Sequence, residues 1–246
     1  MLKIILSATL ALASIQFLHA SDLSTSSEIK NECAKVKNYA LLGKKYYDQQ
    51  QYSKALTQFK EQAAWTSFCL LNSEESGFKF SSKEVEIANN NVGLTYAKLG
   101  QPQWARAWFL RDENAKSSAF NLSKLPAPLV TSDWTGTYVS RSGFGQWDYI
   151  TVRKNKKNYS IEYEGYYFGA YGLIYGPNMG QFDTSMPFTA KKAVYHFEDC
   201  KIDLNFDIHF KYGQIIKVSE KSGEYGCGFG FNVSSQGTYL KVETVK

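Results

Sequence analysis

The sequence predicts an α+β protein of two domains, with helical hairpins followed by an antiparallel β-barrel or sandwich. Three observations predict it. From Asn31 to Ser118 apolar residues recur three and four apart, the period of helices with one buried face. At Leu125-Pro126-Ala127-Pro128, two prolines in three residues stop a helix and favour an extended spacer. From Trp134 onward the apolar period drops to two, as in strands with one face on a core and one in water. The 246 residues suit two domains. The divisions are a leader over 1–20, a helical domain over 21–124, a proline-containing linker over 125–132 and a β-domain over 133–246.

The leader reads as a cleaved secretory signal peptide: Lys3 is its charged start, Ile4 to Leu18 is mostly apolar, and Leu18-His19-Ala20 ends on a small residue. The apolar run is short for a membrane span. No cysteine follows the cleavage point, so no lipid anchor and no stable membrane attachment is expected. This points to a periplasmic or secreted protein. Export makes disulfides the expected state of the four cysteines, which allow three pairings. Cys33 and Cys69 lie near the open end of a first helix hairpin that turns at Gln49–Gln51. Cys200 and Cys227 lie at strand edges of the second half. The expected pairs are therefore Cys33–Cys69 and Cys200–Cys227.

Residues 21–30 are polar and serine-rich and read as a frayed start. Helix one runs from about Asn31 to Asp48, with Tyr39, Leu42 and Tyr46 on one face. Helix two runs from about Tyr52 to Leu70 on Ala55, Leu56, Phe59, Ala63 and Phe68. Leu71 to Ser82 reads as a loop whose Phe78 and Phe80 tuck onto the helices. Ser81 and Glu84 form a capping box for helix three, which ends near Leu99 before Gly100. Pro102 opens helix four, which continues to about Ser118.

The two hairpins carry one framework twice. Gly43, Tyr46, Ala55 and Phe59 recur, fifty residues on, as Gly93, Tyr96, Ala105 and Phe109. This spacing of small and aromatic residues resembles a tetratricopeptide repeat (TPR), whose units are about 34 residues long. Units at 36–69 and 86–119 leave 70–85 as an insertion, and the proline that usually follows the second helix is absent. The resemblance implies a partner-binding scaffold in which first helices line a concave face. Lys44, Lys45, Tyr47, Asn89 and Asn90 are the candidates to line it. Trp104 and Trp108 either cap the short array, the preferred reading, or supply a surface that docks it on the β-domain.

In the second half, strands are expected at 134–140, 146–153, 158–164, 192–198, 202–210, 214–220 and 238–243. The clearest is Ile202 to Phe210, where Ile202, Leu204, Phe206, Ile208 and Phe210 alternate with polar residues. Gly-Thr-Tyr opens both the first and the last strand, which suits pairing of the two to close a barrel. The opening Trp134-x-Gly136-x-Tyr138 is similar to the start of lipocalin-like barrels.

Composition and motifs argue against most chemistry. The net charge of +5 is spread along the chain, so no phosphate-tracking cluster exists and nucleic acid is not an expected partner. No catalytic residue, metal site or cofactor is expected. There is no phosphate or dinucleotide loop and no helical metal motif. Past the leader the histidines are His196 and His209, and the row Asp203, Asp207, His209 reads as the solvated face of a strand. Recognition is the better reading. Gly165 to Phe182 reads as a loop that interleaves aromatics with glycines; either Tyr166, Tyr171 and Tyr175 are candidates to hold a glycan or a protein loop, or half of these rings close one end of the barrel. Ser222-Gly223-Glu224-Tyr225 resembles the Ser-Gly-x-Tyr loop of periplasmic lysozyme inhibitors, small exported β-barrels whose loop enters the lysozyme cleft. That resemblance makes Ser222, Gly223 and Tyr225 candidates. The expected function is non-enzymatic binding of another envelope or secreted protein through the TPR-like half. The alternative is glycan or lysozyme binding through the β-domain.

Overall fold

A computed structural model describes residues 10–128, 130–223 and 226–244, with side chains from Thr25 on. Residues 1–9 of the expected leader lie outside the described residues. The helices are α1 (Leu10–Asp48), α2 (Tyr52–Leu71), the single turn α3 (Ser73–Ser76), α4 (Ser82–Lys98), α5 (Pro102–Phe109) and α6 (Lys116–Ser123). The strands are β1 (Gly136–Arg141), β2 (Trp147–Asn155), β3 (Asn158–Tyr167), β4 (Asn178–Pro187), β5 (Lys192–Phe197), β6 (Cys200–His209), β7 (Gly213–Lys221) and β8 (Gly237–Glu243), with a short helix α7 (Gly172–Tyr175) before β4.

The helices pack through the repeated framework. A methyl at Gly43 would lie 2.5 Å from the Phe59 ring, and one at Gly93 would meet Phe109 in the same way. Only glycine lets α1 approach α2, and α4 approach α5, at this distance. The capping box forms: the Ser81 N–H donates to Glu84 Oε2 at 2.8 Å and the Glu84 N–H to Ser81 Oγ at 3.3 Å.

Two helical expectations are corrected. Residues 21–30 are not frayed but part of α1, because Ile29 extends the buried stripe of Cys33 and Val36 by one turn. The expected fourth helix breaks after Phe109 into a 3-10 turn (Leu110–Asp112), followed by α6. Asp112 accepts from Asn89 Nδ2 at 2.8 Å, which ties this turn to α4.

The eight strands form one antiparallel sheet in the order β4-β3-β2-β1-β8-β7-β6-β5. It curls into a nearly closed up-and-down barrel, and β1 does pair with β8, with Val139 opposite Leu240. The seam between β4 and β5 is held by side chains: Thr184 Oγ1 donates to Val194 O at 2.8 Å, and Phe182 stacks on Tyr195. β4 has no counterpart among the expected strands, and its first half lies in the aromatic–glycine stretch 165–182. Its inward residues Gly180, Phe182, Thr184 and Met186 include a glycine and a threonine, which dilute the period-two signal. The lumen is filled by side chains, among them Tyr138, Tyr163, Phe182, Phe206 and Tyr239. Both disulfides form as expected, Cys33–Cys69 and Cys200–Cys227, which fits an oxidising, extracytoplasmic environment. Among the described residues no helix is long and apolar enough to cross a membrane.

Helices give way to strands where the prolines sit, but the cores do not divide there. One hydrophobic cluster joins Trp104, Ala107 and Trp108 of α5 to Val139, Trp147 and Val242 on the outer face of the sheet. Trp104 and Trp108 therefore dock the helices on the sheet, the less preferred of the two expected roles. The Trp147 ring lies 6.1 Å from Trp104 and 5.5 Å from Trp108, edge to face in both cases. A second shared cluster packs Ile29, Cys33, Val36, Phe68 and Cys69 against Phe144, Phe168, Tyr171, Leu173 and Ile174.

Candidate functional site

A groove of about 450 Å³ runs between α1 and α4, with α2 as its floor. Leu41, Lys44, Tyr47 and Asp48 form one wall and Ile87, Asn91 and Leu94 the other. Phe59 and Gln62 lie at the bottom, where Asn91 Nδ2 donates to Gln62 Oε1 at 3.2 Å. Three large aliphatic side chains here face solvent: Leu41 is 69% exposed, Ile87 47% and Leu94 37%. Three such residues converge on one concavity, whereas a single exposed leucine is ordinary.

The predicted residues divide. Lys44 and Tyr47 line the groove, and Lys44 pairs with Asp48 at 2.7 Å. Lys45 is exposed on the same turn but does not line it. Asn89 and Asn90 are buried on the far side of α4, which corrects their assignment to the concave face. Asn89 holds Asp112. The Asn90 amide donates to Glu86 O and Ser118 Oγ and accepts from Asn121 Nδ2, fastening α6 to α4. Of the three consecutive asparagines, Asn91 faces the groove. Its spacing of four from Ile87 and three from Leu94 was the signal that sequence reasoning passed over.

The aromatic stretch is mostly committed to folding. Tyr171 OH donates to Glu75 Oε1 at 2.6 Å, Tyr175 OH hydrogen-bonds Thr25, and Asn72 Nδ2 donates to Ala170 O at 3.0 Å. Phe168 and Tyr171 lie in the shared core, while Tyr166 is half-buried with its OH 3.4 Å from Glu164. The loop thus ties the barrel end to α1–α3. Ser222 Oγ donates to Glu220 Oε1 at 3.0 Å, and Gly223 lies against the Asp199 side chain. Tyr225 and Glu224 lie outside the described residues.

The acidic row is ion-paired. Asp203 meets Lys192 and Lys201, and Asp207 meets Lys217, which holds both carboxyls below the usual range. His209 stacks on Tyr212. Among the described residues no group of three or more acidic, histidine or cysteine side chains is placed to hold a metal.

One buried carboxyl is displaced the other way. Burial raises the Asp148 pKa from 3.8 to about 6, despite hydrogen bonds from the Tyr166 N–H and Ser142 and the charge of Arg111. An unfolded aspartate ionises before this one does, so stability falls as pH rises from roughly 4 to 6, by on the order of 2–3 kcal/mol. Asp148→Asn is expected to flatten the unfolding midpoint across that window. An unchanged slope in denaturant titrations would show that Asp148 does not set it.

The fold and groove define a class: helical hairpins with an open concave face, docked on the outside of an eight-stranded barrel-like sheet. No protein-family model, curated protein or solved structure matches the chain.

Proposed function

We propose that the protein is an exported, non-enzymatic scaffold that holds a segment of another envelope or secreted protein in the groove between α1 and α4. The β-domain serves as a rigid body that fixes the helices. The observation that carries this reading is the convergence of exposed Leu41, Ile87 and Leu94 in one concavity. The repeated glycine–phenylalanine contacts support a TPR-like reading of the hairpins, in which this is the partner-facing side. Docking on the sheet also answers how two hairpins, fewer than such arrays usually need, are stabilised.

The test is cross-linking of the full mature chain in its native compartment, beside a Leu41→Asp/Leu94→Asp variant. Both positions are exposed, so an unfolding midpoint close to the parent's is expected and separates lost capture from lost folding. Each aspartate removes apolar contact area and adds a charge the partner must desolvate, so capture of the specific partner is expected to fall about tenfold or more. Equal capture by both chains would overturn the groove as the site.

A further inference from the structure

α5 does not fill all the space between itself and the sheet. Beyond the docked tryptophans a cleft of about 270 Å³ remains between the helix and the outer face of β1 and β8. Val139 and Leu240, opposite each other on the two strands, line it from the sheet. Ala107 and Leu110 line it from the helix side, and Trp147 adds its ring. The body of the cleft is therefore apolar. Thr238, exposed on β8, stands on its border.

The polar part of the lining carries an unmatched positive charge. Its two charged residues are Glu113 and Arg141. Glu113 is already matched: Oε2 accepts from Lys211 Nζ at 2.7 Å, the main cause of a pKa below the usual carboxylate range. Arg141 donates from Nη1 to the Arg111 carbonyl at 2.8 Å and, among the described residues, makes no ion pair. That bond fixes the guanidinium beside the cleft without neutralising it. Two more guanidiniums stand close by without a carboxylate bonded to them. Arg106 donates to the Lys211 and Pro126 carbonyls, next to Tyr212 of the lining. Arg111 lies on Trp147, and Asp112 and Asp148 act on it without forming an ion pair. Burial, and then the charge of Arg141, lower the Arg111 pKa to about 9.

We infer that this cleft binds a small apolar carboxylate, with its head on Arg141 and its body between Leu110 and Leu240. The planar guanidinium fork matches a carboxylate, and the bond is charge-assisted. The bound anion supplies the counter-ion that Arg141 lacks and offsets its repulsion with Arg111. The apolar walls remove the hydrocarbon part from water. One unmatched guanidinium suits a monoanion, and the volume lies just below the range of drug-sized pockets, about 300–1,000 Å³, so the ligand is small. The cleft shares no lining residue with the groove between α1 and α4, and the inference does not rest on the groove reading.

The experiment is calorimetric titration of the full mature chain with octanoate and with octanamide, its neutral counterpart. Octanoate is expected to bind saturably with a Kd of about 1 mM, and octanamide about tenfold more weakly. Arg141→Gln is expected to weaken octanoate about tenfold and to leave octanamide unchanged. Thr238→Trp, which places a large ring on the border of the cleft, is expected to weaken both. Arg141 and Thr238 are exposed, so unfolding midpoints close to the parent's are expected and separate lost binding from lost folding. No saturable binding of octanoate up to about 10 mM, equal binding of the two probes, or unchanged octanoate binding by Arg141→Gln would each overturn the assignment.

Discussion

Trp108→Ala is expected to destabilise the protein by about 3–5 kcal/mol, the range for removing a buried tryptophan. Trp108 is 2% exposed and sits where α5 meets the sheet. Its loss removes one of the two tryptophans packed on Trp147 and one of the two rings against Arg111, whose guanidinium carbon lies 4.9 Å from the Trp108 ring and 4.0 Å from that of Trp147. Burial lowers the Arg111 pKa, yet the group stays charged at neutral pH, so a seam opened to water is a better solvent for it than a damaged core. The indole N–H groups of Trp108 and Trp147 are buried without a hydrogen-bond partner among the described residues, a cost that the packing around them offsets. The parent chain is expected to unfold in one transition, because the cluster around Trp108 belongs to both halves. In Trp108→Ala the helical signal is expected to melt ahead of the sheet signal. Coincident transitions with an unchanged midpoint would remove the shared core as the source of cooperativity.

Cys33→Ala/Cys69→Ala is expected to cost about 4 kcal/mol, from the loop entropy of a crosslink spanning a separation of 36 residues. This bridge does more than close a hairpin. Cys33 and Cys69 are fully enclosed with Ile29 and Phe68 against Phe144, Phe168 and Leu173 of the β half. Loosening α1 from α2 therefore also loosens the surface on which the aromatic loop sits. Faster proteolytic cleavage within 168–177 is expected in the variant, with the barrel itself protected. Loss of midpoint without new cleavage there would confine the effect to the hairpin.

Much of this architecture was legible in local patterns. The repeated Gly-to-Phe framework marked both helix pairs, because a missing Cβ and a large ring leave a signature at fixed spacing. Ser81 and Glu84 marked a helix start through hydrogen bonds made within one turn. The disulfide pairing followed from where the helix and strand ends lie along the chain. The candidate site was half legible. Lys44 and Tyr47 fell on the groove, whereas Asn89 and Asn90 fell behind it, since a shift of one residue on a helix turns a side chain by about 100°. Leu41, Ile87 and Leu94 drew no reading, because spacing does not tell which apolar positions remain uncovered.

The sequence by itself determined the order of helices and strands, the break at Pro126 and Pro128, the pairing of the cysteines and the closeness of α1 to α2 and of α4 to α5. Those features depend on torsional limits, hydrogen bonds and periodicities that act within one element or between neighbours. Only the tertiary structure decided that Trp104 and Trp108 dock on the sheet, that the tyrosine-bearing loop joins the halves, and that Ile208 and Phe210 stand outside the core. Val139, Trp147 and Val242 belong to three strands, and they make one apolar face only once β1 is registered against both β2 and β8. Alternation along a strand says which residues share a side. It does not say whether that side meets a helix, a lumen or water, because that is set by contacts between residues far apart in the chain.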